Sequence, residues 1–381
     1  MNWLSRLMGR DRGDPAPKSL AQLITEADSP NGYLREQAVA ALGSMAEHSA
    51  LLVLLVRVND WVPEVRRAAR TAVEAFLDSV HVIAWVSALD QVVALGRAGR
   101  DDHSGLLGRI KTFLSQASSI RVLKASVEKP SRDVSRLLFE LEFASPLDDE
   151  SCFLLLREAL TGDDIVAASC AMASISRVSP ERQQSLLRIA SSCDFGSIRA
   201  TGLRAALALK VPNASVLARV LCRDKSKAVR AVALAAMKDD RADVVTEMRT
   251  ELQKASGSRA RAVALDVLCE LGVSDALVLC RYAIADHSPA VRHVAFGQAF
   301  RLVDELERDQ LVLEVLRDSA SRVRRISVLQ VRRGAAVPDA ATLLQLLTER
   351  PESFDQLAVL ARWLSPWARV SVSTTATGSP T

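Results

Sequence analysis

The amino-acid sequence predicts an all-α fold, namely an α/α superhelix of about ten to eleven stacked helix pairs. Two observations predict this class: a motif that returns every 31 or 32 residues, and apolar residues at helical spacing between its copies. Hydrophobic residues make up 49% of the chain and aromatic residues only 4%, so the core must consist of Ala, Leu and Val. Such a core favours closely packed helices. Stacked repeats also extend one core over a chain of 381 residues.

The repetition is visible as one column of mostly aliphatic residues. Its successive members lie 31 or 32 residues apart, except for one step of 69 residues that corresponds to about two repeats. A fixed period of this length is typical of a solenoid, and about eleven units would fill the chain. The column consists of Leu34, Val65, Val134, Val166, Ile198, Val229, Ala260, Val291, Val323 and Phe354.

Each column residue opens the apolar pattern of a helix with one buried face. After Val65, for example, apolar residues stand at positions 68, 69, 72, 73, 76 and 77, which is the spacing of one helical stripe. A second apolar segment of helical length precedes several column residues, so each repeat contains two helices. These preceding segments are 49–57, 149–160, 216–223, 275–285 and 311–317.

The turns between the two helices repeat as well. The segments DWVPEVR at 60–66 and DHSPAVR at 286–292 place Pro in the first turn of the second helix, where a missing N–H is tolerated. The Asp before that turn is expected to cap the helix. An Asp-to-Arg offset of six residues recurs in four pairs, Asp60 and Arg66, Asp224 and Arg230, Asp286 and Arg292, and Asp318 and Arg324.

These residues resemble the HEAT repeat motif, with its Asp, Pro, Val-Arg and following small residues. The resemblance covers residues 18–364 and implies a right-handed superhelix whose second helices line the concave face. The period is shorter than in typical eukaryotic HEAT repeats, so the similarity is to the short variety found in many bacterial proteins. No ankyrin or tetratricopeptide signature is present.

Three segments depart from the repeat. Residues 1–17 are predicted to be an N-terminal extension, whose Trp3, Leu4, Leu7 and Met8 are expected to pack on the first repeat; the alternative is a short amphipathic segment that docks on a membrane surface or a partner. Residues 365–381 are rich in Ser and Thr and are predicted to be a disordered tail. Near 95–132 the repeat is irregular, and we expect a long helix over 80–95, an extended turn and one atypical helix over 104–116.

The recurring arginines of the turns have two interpretations. They suggest a phosphate-binding row, but the resemblance to HEAT repeats implies that each one pairs with an Asp of an adjacent repeat and is structural. The second interpretation is the preferred one. The arginines concerned are Arg66, Arg199, Arg230, Arg261, Arg292 and Arg324.

Two groups of residues are candidates for an interaction surface. Arg97, Arg100 and His103 stand in the irregular turn, and binding residues often lie on loops held by a rigid scaffold. The alternative for this group is an ordinary solvated turn with Asp102 as N-cap. The second group comprises Arg325, Arg332 and Arg333, which fall outside the predicted buried stripe of their helix.

The function favoured by the sequence is a non-enzymatic scaffold or adaptor that binds a protein partner. The alternative is a nucleic-acid-associated protein, which is disfavoured because Lys and Arg total 49 against 45 Asp and Glu, and because aromatic residues are few. No phosphate-binding, nucleophile or metal-protease motif occurs, so neither enzyme activity nor a cofactor is expected.

Among enzymes with HEAT-like repeats, DNA glycosylases match only by a loose pairing of Trp85 with Asp90. Trp85 is more simply explained as a core residue. Phycobilin lyases offer no residue to match, and deoxyhypusine hydroxylase requires His-Glu dipeptides, which this chain lacks.

The remaining features concern the cysteines, the tryptophans and the cellular compartment. The six cysteines form no C-x-x-C pair and are interpreted as reduced, buried residues of a cytoplasmic protein. No segment is long and apolar enough to span a membrane. Trp61 is expected to close the gap between two repeats, and Trp363 and Trp367 to cover the end of the last repeat.

Overall fold

The structure is a computed structural model that describes residues 18–364 and divides the chain into two compact units, the first ending at Leu186 and the second beginning at Leu187. The first unit contains α1 (Leu20–Glu26), α2 (Gly32–Met45), α3 (Ala50–Arg57), α4 (Pro63–Glu74), α5 (Val82–Leu95), α6 (Ser104–Leu114), α7 (Ala117–Ser126), α8 (Arg132–Ala144), α9 (Asp149–Thr161) and α10 (Ile165–Ala173). The division falls within α11 (Pro180–Ala190). The second unit continues with α12 (Gly196–Ala208), α13 (Ala214–Leu221), α14 (Lys227–Ala236), α15 (Arg241–Lys254), α16 (Ser258–Glu270), α17 (Ala276–Ala283), α18 (Pro289–Leu302), α19 (Glu305–Leu316), α20 (Ser321–Arg332), α21 (Ala340–Glu349) and α22 (Phe354–Ala361).

Consecutive helices pack as pairs, from α1 with α2 to α9 with α10 in the first unit and from α13 with α14 to α21 with α22 in the second, which makes ten pairs among the described residues. We call the members of each pair the first and the second helix. Second helices of successive pairs pack on one another, as α2 does on α4, α16 on α18 and α18 on α20. The predicted all-α solenoid of about ten to eleven helix pairs is confirmed.

Small residues set how closely these layers approach. In α4 the buried stripe is Val65, Ala69, Ala72 and Val73, and Pro63 occupies its first turn as predicted. A Cβ atom added to Gly43 of α2 would lie 2.5 Å from the Cβ atom of Ala72, so only glycine fits where α2 crosses α4. Burial of each aliphatic side chain contributes about 1.5–3 kcal/mol, which makes the stripe the main source of stability.

The large core residues of the first unit gather around Trp85. This side chain is fully buried, its Nε1–H donates a hydrogen bond of 3.0 Å to the carbonyl oxygen of Phe76, and Phe113 packs against its ring. The predicted core role is confirmed. Asp90 instead accepts a hydrogen bond from Ser131, so Trp85 and Asp90 form no common site.

The irregular region contains one more helix than the sequence analysis predicted. α5 and α6 match the predicted helices, although α6 ends two residues early, but residues 117–126 form a further helix, α7. Only Ser115 and Gln116 separate α6 from α7, and no Pro-x-Val-Arg signal marks the turn, which is why the pattern missed it. The 69-residue step of the column therefore spans two complete pairs.

The column itself is buried at most positions but not at all. Leu34, Val166 and Phe354 are more than one third exposed, so their predicted burial is wrong. In α22 the buried stripe begins at Gln356 and Leu357, because this helix follows a short 3₁₀ turn in place of the regular turn. The buried members are Val65, Val134, Ile198, Val229, Val291 and Val323.

Several smaller expectations have clear outcomes. Cys152, Cys222 and Cys280 are buried, but Cys170 is exposed, which corrects the prediction for that residue. Among the described residues no single helix is long and apolar enough to cross a membrane, while the bent pair Pro63–Glu74 and Ser79–Leu95 reaches that length and hydropathy together. The predictions for residues 1–17 and 365–381, including Trp367, lie outside the described residues.

Candidate interaction surface

An arginine near the start of most second helices is held in one recurring geometry, which Arg292 of α18 illustrates. Its Nη1 donates hydrogen bonds to the carbonyl oxygen of Asp286, six residues earlier, at 2.9 Å and to that of His287, five residues earlier, at 3.1 Å. Its Nε and Nη2 donate to both carboxylate oxygens of Asp318, 26 residues ahead, at 2.7 and 2.8 Å. The side chain thus fixes its own turn and joins it to the next repeat.

The aspartate continues this chain of contacts. Oδ1 of Asp318 accepts the backbone N–H of Ala320 at 2.7 Å, and its carbonyl oxygen accepts Nη1 of the next arginine, Arg324, at 3.0 Å. The aspartate therefore lies before the helix and orders the turn, and Ala320 is the N-cap residue. This corrects the expectation that the Asp itself is the cap.

We call the arginines with these turn contacts the arginine ladder. Pairing with an aspartate 25 or 26 residues ahead occurs for Arg35, Arg199, Arg261 and Arg292, which confirms the structural interpretation. Arg35 was missed by the sequence analysis, yet its pair with Asp60 is almost completely buried. Trp61 lies over the Arg35 guanidinium at 5.0 Å and remains largely exposed. The ladder consists of Arg35, Arg66, Arg199, Arg230, Arg261, Arg292 and Arg324.

Burial and hydrogen bonding act in opposite directions on the ladder aspartates. Burial alone would raise the pKa of Asp60, but hydrogen bonds from Val62, Arg35 and Arg57 together outweigh it and lower the pKa below the ordinary value. The same balance lowers the pKa of Asp318. These carboxylates are therefore charged at neutral pH and form ion pairs with the ladder arginines.

The irregular turn that contains the first candidate group belongs to this ladder. Arg66 has no aspartate 25 residues ahead and pairs instead with Asp101, 35 residues ahead, at 3.2 Å. Arg70 contacts the same carboxylate at 3.0 Å. Oδ1 of Asp102 accepts the backbone N–H of Ser104, and the N-cap position itself is His103. The predicted N-cap role of Asp102 is therefore replaced by the same turn contact that the ladder aspartates make.

The three candidate residues of this turn are already engaged within the first unit. His103 is only 4% exposed, and its ring nitrogens lie 3.3 Å from Arg70 and 3.2 Å from Asn59. Burial, followed by the charge of Arg70, lowers the pKa of His103. Arg97 pairs with Asp133 at 2.6 Å, and Arg100 donates to the Asn59 carbonyl oxygen at 3.0 Å. His103 thus does not belong to an exposed surface, which corrects its assignment.

The ladder is interrupted once in the second unit. Ala255 occupies the turn position at which Asp224, Asp286 and Asp318 stand in other repeats of this unit, and its carbonyl oxygen still accepts Nη1 of Arg261 at 3.0 Å. Because position 255 offers no carboxylate, Arg230 pairs with Asp266 and Glu270 of α16 instead. The turn before α16 therefore lacks the link to the preceding repeat.

The second candidate group lies on an exposed stripe of α20. Arg322, Arg325, Leu329 and Arg332 are exposed and follow helical spacing; we call them the α20 face. Among the described residues no carboxylate oxygen lies within 4.0 Å of the guanidinium nitrogens of these arginines or of Arg333, which is also exposed. Many other exposed arginines are paired, so uncompensated positive charge is concentrated on this helix.

A groove runs between this face and the neighbouring second helix. We call it the α20–α22 groove; it has a volume of about 340 Å³. Arg332 also lies 5.8 Å from the ring centroid of Trp363. The groove combines an aliphatic floor with two cationic side chains, and its lining consists of Arg325, Val328, Leu329, Arg332, Asp355, Gln356 and Val359.

Among the described residues, no group of three or more His, Cys, Asp or Glu side chains is placed to hold a metal ion. The sulfur atoms of Cys269 and Cys280 lie 3.5 Å apart, with both residues reduced. The Cys280 hydrogen bond, together with burial, raises the pKa of the Cys269 thiol, which makes it a weak nucleophile at neutral pH.

Comparisons with known proteins give a general likeness only. No protein-family description matches the sequence, and no curated protein matches it. Two crystal structures are similar, that of Kap121p and that of the karyopherin Kap121p bound to the extreme C-terminus of the protein phosphatase Cdc14p. Both are 15% identical with a TM-score of 0.36; they match 93% and 95% of this chain. The chain spans 45% and 46% of their lengths, and the likeness is too distant to assign a family or a function.

Proposed function

We propose that this protein is a non-enzymatic scaffold that binds a protein partner, and that the α20–α22 groove receives an acidic segment with aliphatic side chains. The observation that carries the proposal is the α20 face, which presents three exposed arginines without a carboxylate partner among the described residues. Elsewhere the helices neutralise most of their arginines with neighbouring Asp and Glu. A partner with carboxylates would supply the missing charge.

The aliphatic part of the groove favours a polypeptide over a nucleic acid. Val328, Leu329 and Val359 line the space between the arginines, and side chains of a peptide would bury them. No aromatic residue that stacks on bases is part of this lining.

The test compares two double charge reversals within the second unit. Arg325→Glu with Arg332→Glu removes the proposed site. Arg204→Glu with Arg259→Glu makes the same change of charge at two exposed arginines of other second helices, which also have no ion pair among the described residues. Both variants should retain the melting temperature of the parent, since exposed substitutions change stability by about 0.5 kcal/mol or less.

The measurement is affinity purification of the intact chain from nuclease-treated extract with quantitative mass spectrometry. We expect partners that the parent and the Arg204/Arg259 variant recover equally and that the Arg325/Arg332 variant loses about tenfold or more. Equal recovery by all three proteins would remove the α20 face as the binding site. Partners that the parent recovers from untreated extract but not from nuclease-treated extract would instead support association with nucleic acid.

A further inference from the structure

Two of the six cysteines lie in contact at the boundary between two helix pairs of the second unit. Cys269 is the last residue but one of α16, and Cys280 lies in α17, the first helix of the next pair. Their sulfur atoms are 3.5 Å apart and share a hydrogen bond. Within residues 18–364 no other two cysteines share one, so the contact belongs to this boundary alone.

The two side chains are close enough to form a disulfide after a small movement. The sulfur atoms of a disulfide lie about 2.05 Å apart, so those of Cys269 and Cys280 need to approach by about 1.5 Å. Cys269 stands beside the end of α16, and helix ends fray more readily than helix centres. Cys280 lies in the core of the unit. The movement therefore falls mainly on Cys269.

The two residues differ in their exposure to solvent. Cys280 is fully buried in an apolar cluster with Leu265, Ala283 and Phe296, whereas Cys269 is partly exposed at the margin of that cluster. A small oxidant therefore meets the pair at Cys269. Cys280 is shielded from direct attack and lies in position to close the bond.

The shared hydrogen bond also determines how the pair ionises. The bond to Cys280 and burial raise the pKa of Cys269, whereas the hydrogen bond that Cys269 donates outweighs burial and lowers the pKa of Cys280. The pair therefore loses its first proton from Cys280. The remaining proton lies between two thiol sulfurs, and its transfer from Cys269 to Cys280 places the negative charge on the more exposed sulfur, which then reacts as a thiolate.

We propose that Cys269 and Cys280 are a site of reversible oxidation by a peroxide, at which a disulfide joins α16 to α17. The Cys269 thiolate attacks one oxygen of hydrogen peroxide; the O–O bond breaks, a sulfenic acid forms, and hydroxide leaves and takes up the proton released earlier. The Cys280 sulfur then attacks the Cys269 sulfur, the S–O bond breaks, and water leaves with the Cys280 proton. Two thiols and one peroxide thus become one disulfide and two water molecules, so the sulfurs are oxidised and the peroxide oxygens are reduced.

The bond would strengthen the repeat beside the interruption of the ladder. Asp266 and Glu270 of α16 hold Arg230 where the regular aspartate is missing. Cys269 stands between these two carboxylates in the sequence, so a disulfide fastens this part of α16 to the following pair. The bond closes a loop of about 12 residues, which removes open conformations of the turn between α16 and α17. This inference is independent of the function proposed for the α20 face.

The test treats the reduced, full-length protein with hydrogen peroxide and then maps every cysteine by mass spectrometry without reduction. Trypsin leaves both cysteines of the pair in one peptide, 262–281, and a second cleavage after Glu270 separates them unless they are bonded. Two single cysteines are internal controls: Cys170 is exposed, and Cys222 is fully buried. The variants are Cys269→Ala, Cys280→Ala and Cys170→Ala, and circular dichroism melts establish that each is folded.

We expect peptide 262–281 to lose two hydrogen atoms, to gain no oxygen and to stay joined after cleavage at Glu270. Dithiothreitol should restore both thiols. At the same dose Cys222 should remain a thiol, and Cys170→Ala should form the bond to the same extent as the parent. Cys269→Ala should form no bond, and in Cys280→Ala the sulfenic acid of Cys269 should be captured by dimedone, because it has no partner. If Cys280→Ala does not fold, Cys269→Ala alone decides.

Hydrogen exchange measures whether the bond fastens the two helices. The amides of residues 271–275, in the turn between α16 and α17, should exchange about threefold or more slowly in the oxidised parent than in the reduced parent. Treated Cys269→Ala should show no such change.

Three results would overturn the inference. One is a parent in which Cys269 gains oxygen while Cys280 remains a thiol. Another is a bond from either residue to a different cysteine in place of the expected one. The third is a bonded parent whose turn exchanges as fast as that of the reduced protein, since the bond would then have no effect on the boundary.

Discussion

In the turns before α18 and α20, a ladder arginine meets an aspartate 25 or 26 residues ahead, whereas Arg66 in α4 meets Asp101, 35 residues ahead. In both regions the arginine makes the same contacts with the turn that precedes its own helix. Arg66 and Arg292 each donate to the carbonyl oxygen six residues earlier, at 2.9 Å in both cases. The two regions differ in the carboxylate that joins one repeat to the next.

This difference separates two roles that one side chain performs. The contacts with the preceding turn are local in sequence and survive a change in the length of the repeat. The contact with the next repeat depends on which carboxylate the following turn brings near, and Arg230 shows a third solution by reaching Asp266 and Glu270 in a helix. A solenoid of this kind therefore tolerates an irregular repeat as long as some hydrogen-bond acceptor of the following repeat reaches the guanidinium.

The largest effect is expected at the column that accompanies the ladder. Val229→Asp places a charge in a fully buried site between helices and should lower the free energy of unfolding by about 3–5 kcal/mol. Val166→Asp changes an exposed member of the column in the first turn of α10 and should alter it by about 0.5 kcal/mol or less. Urea unfolding measures both, and equal losses would show that the assignment of buried positions is wrong.

A smaller loss is expected when the joining carboxylate is removed. Asp318→Ala leaves the Arg292 guanidinium, which is mostly buried, with its carbonyl contacts and the Ser319 hydroxyl but no carboxylate, and should lower the free energy of unfolding by about 2–4 kcal/mol. Asp101→Ala removes a more exposed carboxylate from Arg66 and should have less than half of that effect. If the Asp101 variant loses as much stability, the two regions depend equally on their ladder contacts.

The acid sensitivity of the ladder gives a third test. The pKa values of Asp60, Asp224, Asp286 and Asp318 lie below the ordinary value of 3.8 in the folded protein. The unfolded chain therefore binds protons first as the pH falls, so the contribution of these groups is complete above about pH 4 and is lost below it. Urea midpoints from pH 7 to pH 2.5 should fall most steeply at the acid end, and less steeply in Asp318→Ala. A midpoint that rises toward low pH would contradict this.

The smallest effect is expected when the interrupted position is made regular. Ala255→Asp introduces the aspartate that stands at this position as Asp224, Asp286 and Asp318 in other turns of the unit, but Arg230 already has Asp266 and Glu270 as partners. The free energy of unfolding should therefore rise by no more than about 1 kcal/mol. A larger increase in urea unfolding would mean that the missing carboxylate is a serious defect, and that Arg230 changes its partner when offered the regular one.

Much of the architecture was predictable because it repeats. The period placed most second helices, and the Asp-to-Arg offset of six is visible in the structure as the bond between the arginine and the aspartate carbonyl, for example in Arg230 and Asp224 at 3.0 Å. The spacing between an arginine and its partner in the next repeat was not used, although it is nearly constant. That spacing would have identified Arg35 through Asp60.

The remainder depended on features that the motif does not contain. α7 was missed because its turn has none of the repeated residues, and the burial of His103 depends on Arg70 and Asn59, which are 33 and 44 residues distant in the sequence. Arg325 and Arg332 were placed on the surface from the helical stripe alone, and they are exposed. The α20–α22 groove was not predicted, because a groove arises from the distance between neighbouring helices.

The contacts between repeats have a direction. Each ladder arginine donates hydrogen bonds to residues later in the chain, and each ladder aspartate accepts them from an arginine earlier in the chain. If the chain were cut between two pairs of the regular run, the piece on the C-terminal side would begin with an aspartate already bonded to its own turn. The piece on the N-terminal side would end with an arginine whose forward acceptors are gone. Arg324, the last arginine of the ladder, has neutral acceptors in the helices that follow it. They are the side-chain oxygen of Gln356 at 3.3 Å and the carbonyl oxygen of Glu352 at 2.8 Å. Fragments that retain α21 and α22 should therefore outlast, in limited proteolysis, those truncated after α20.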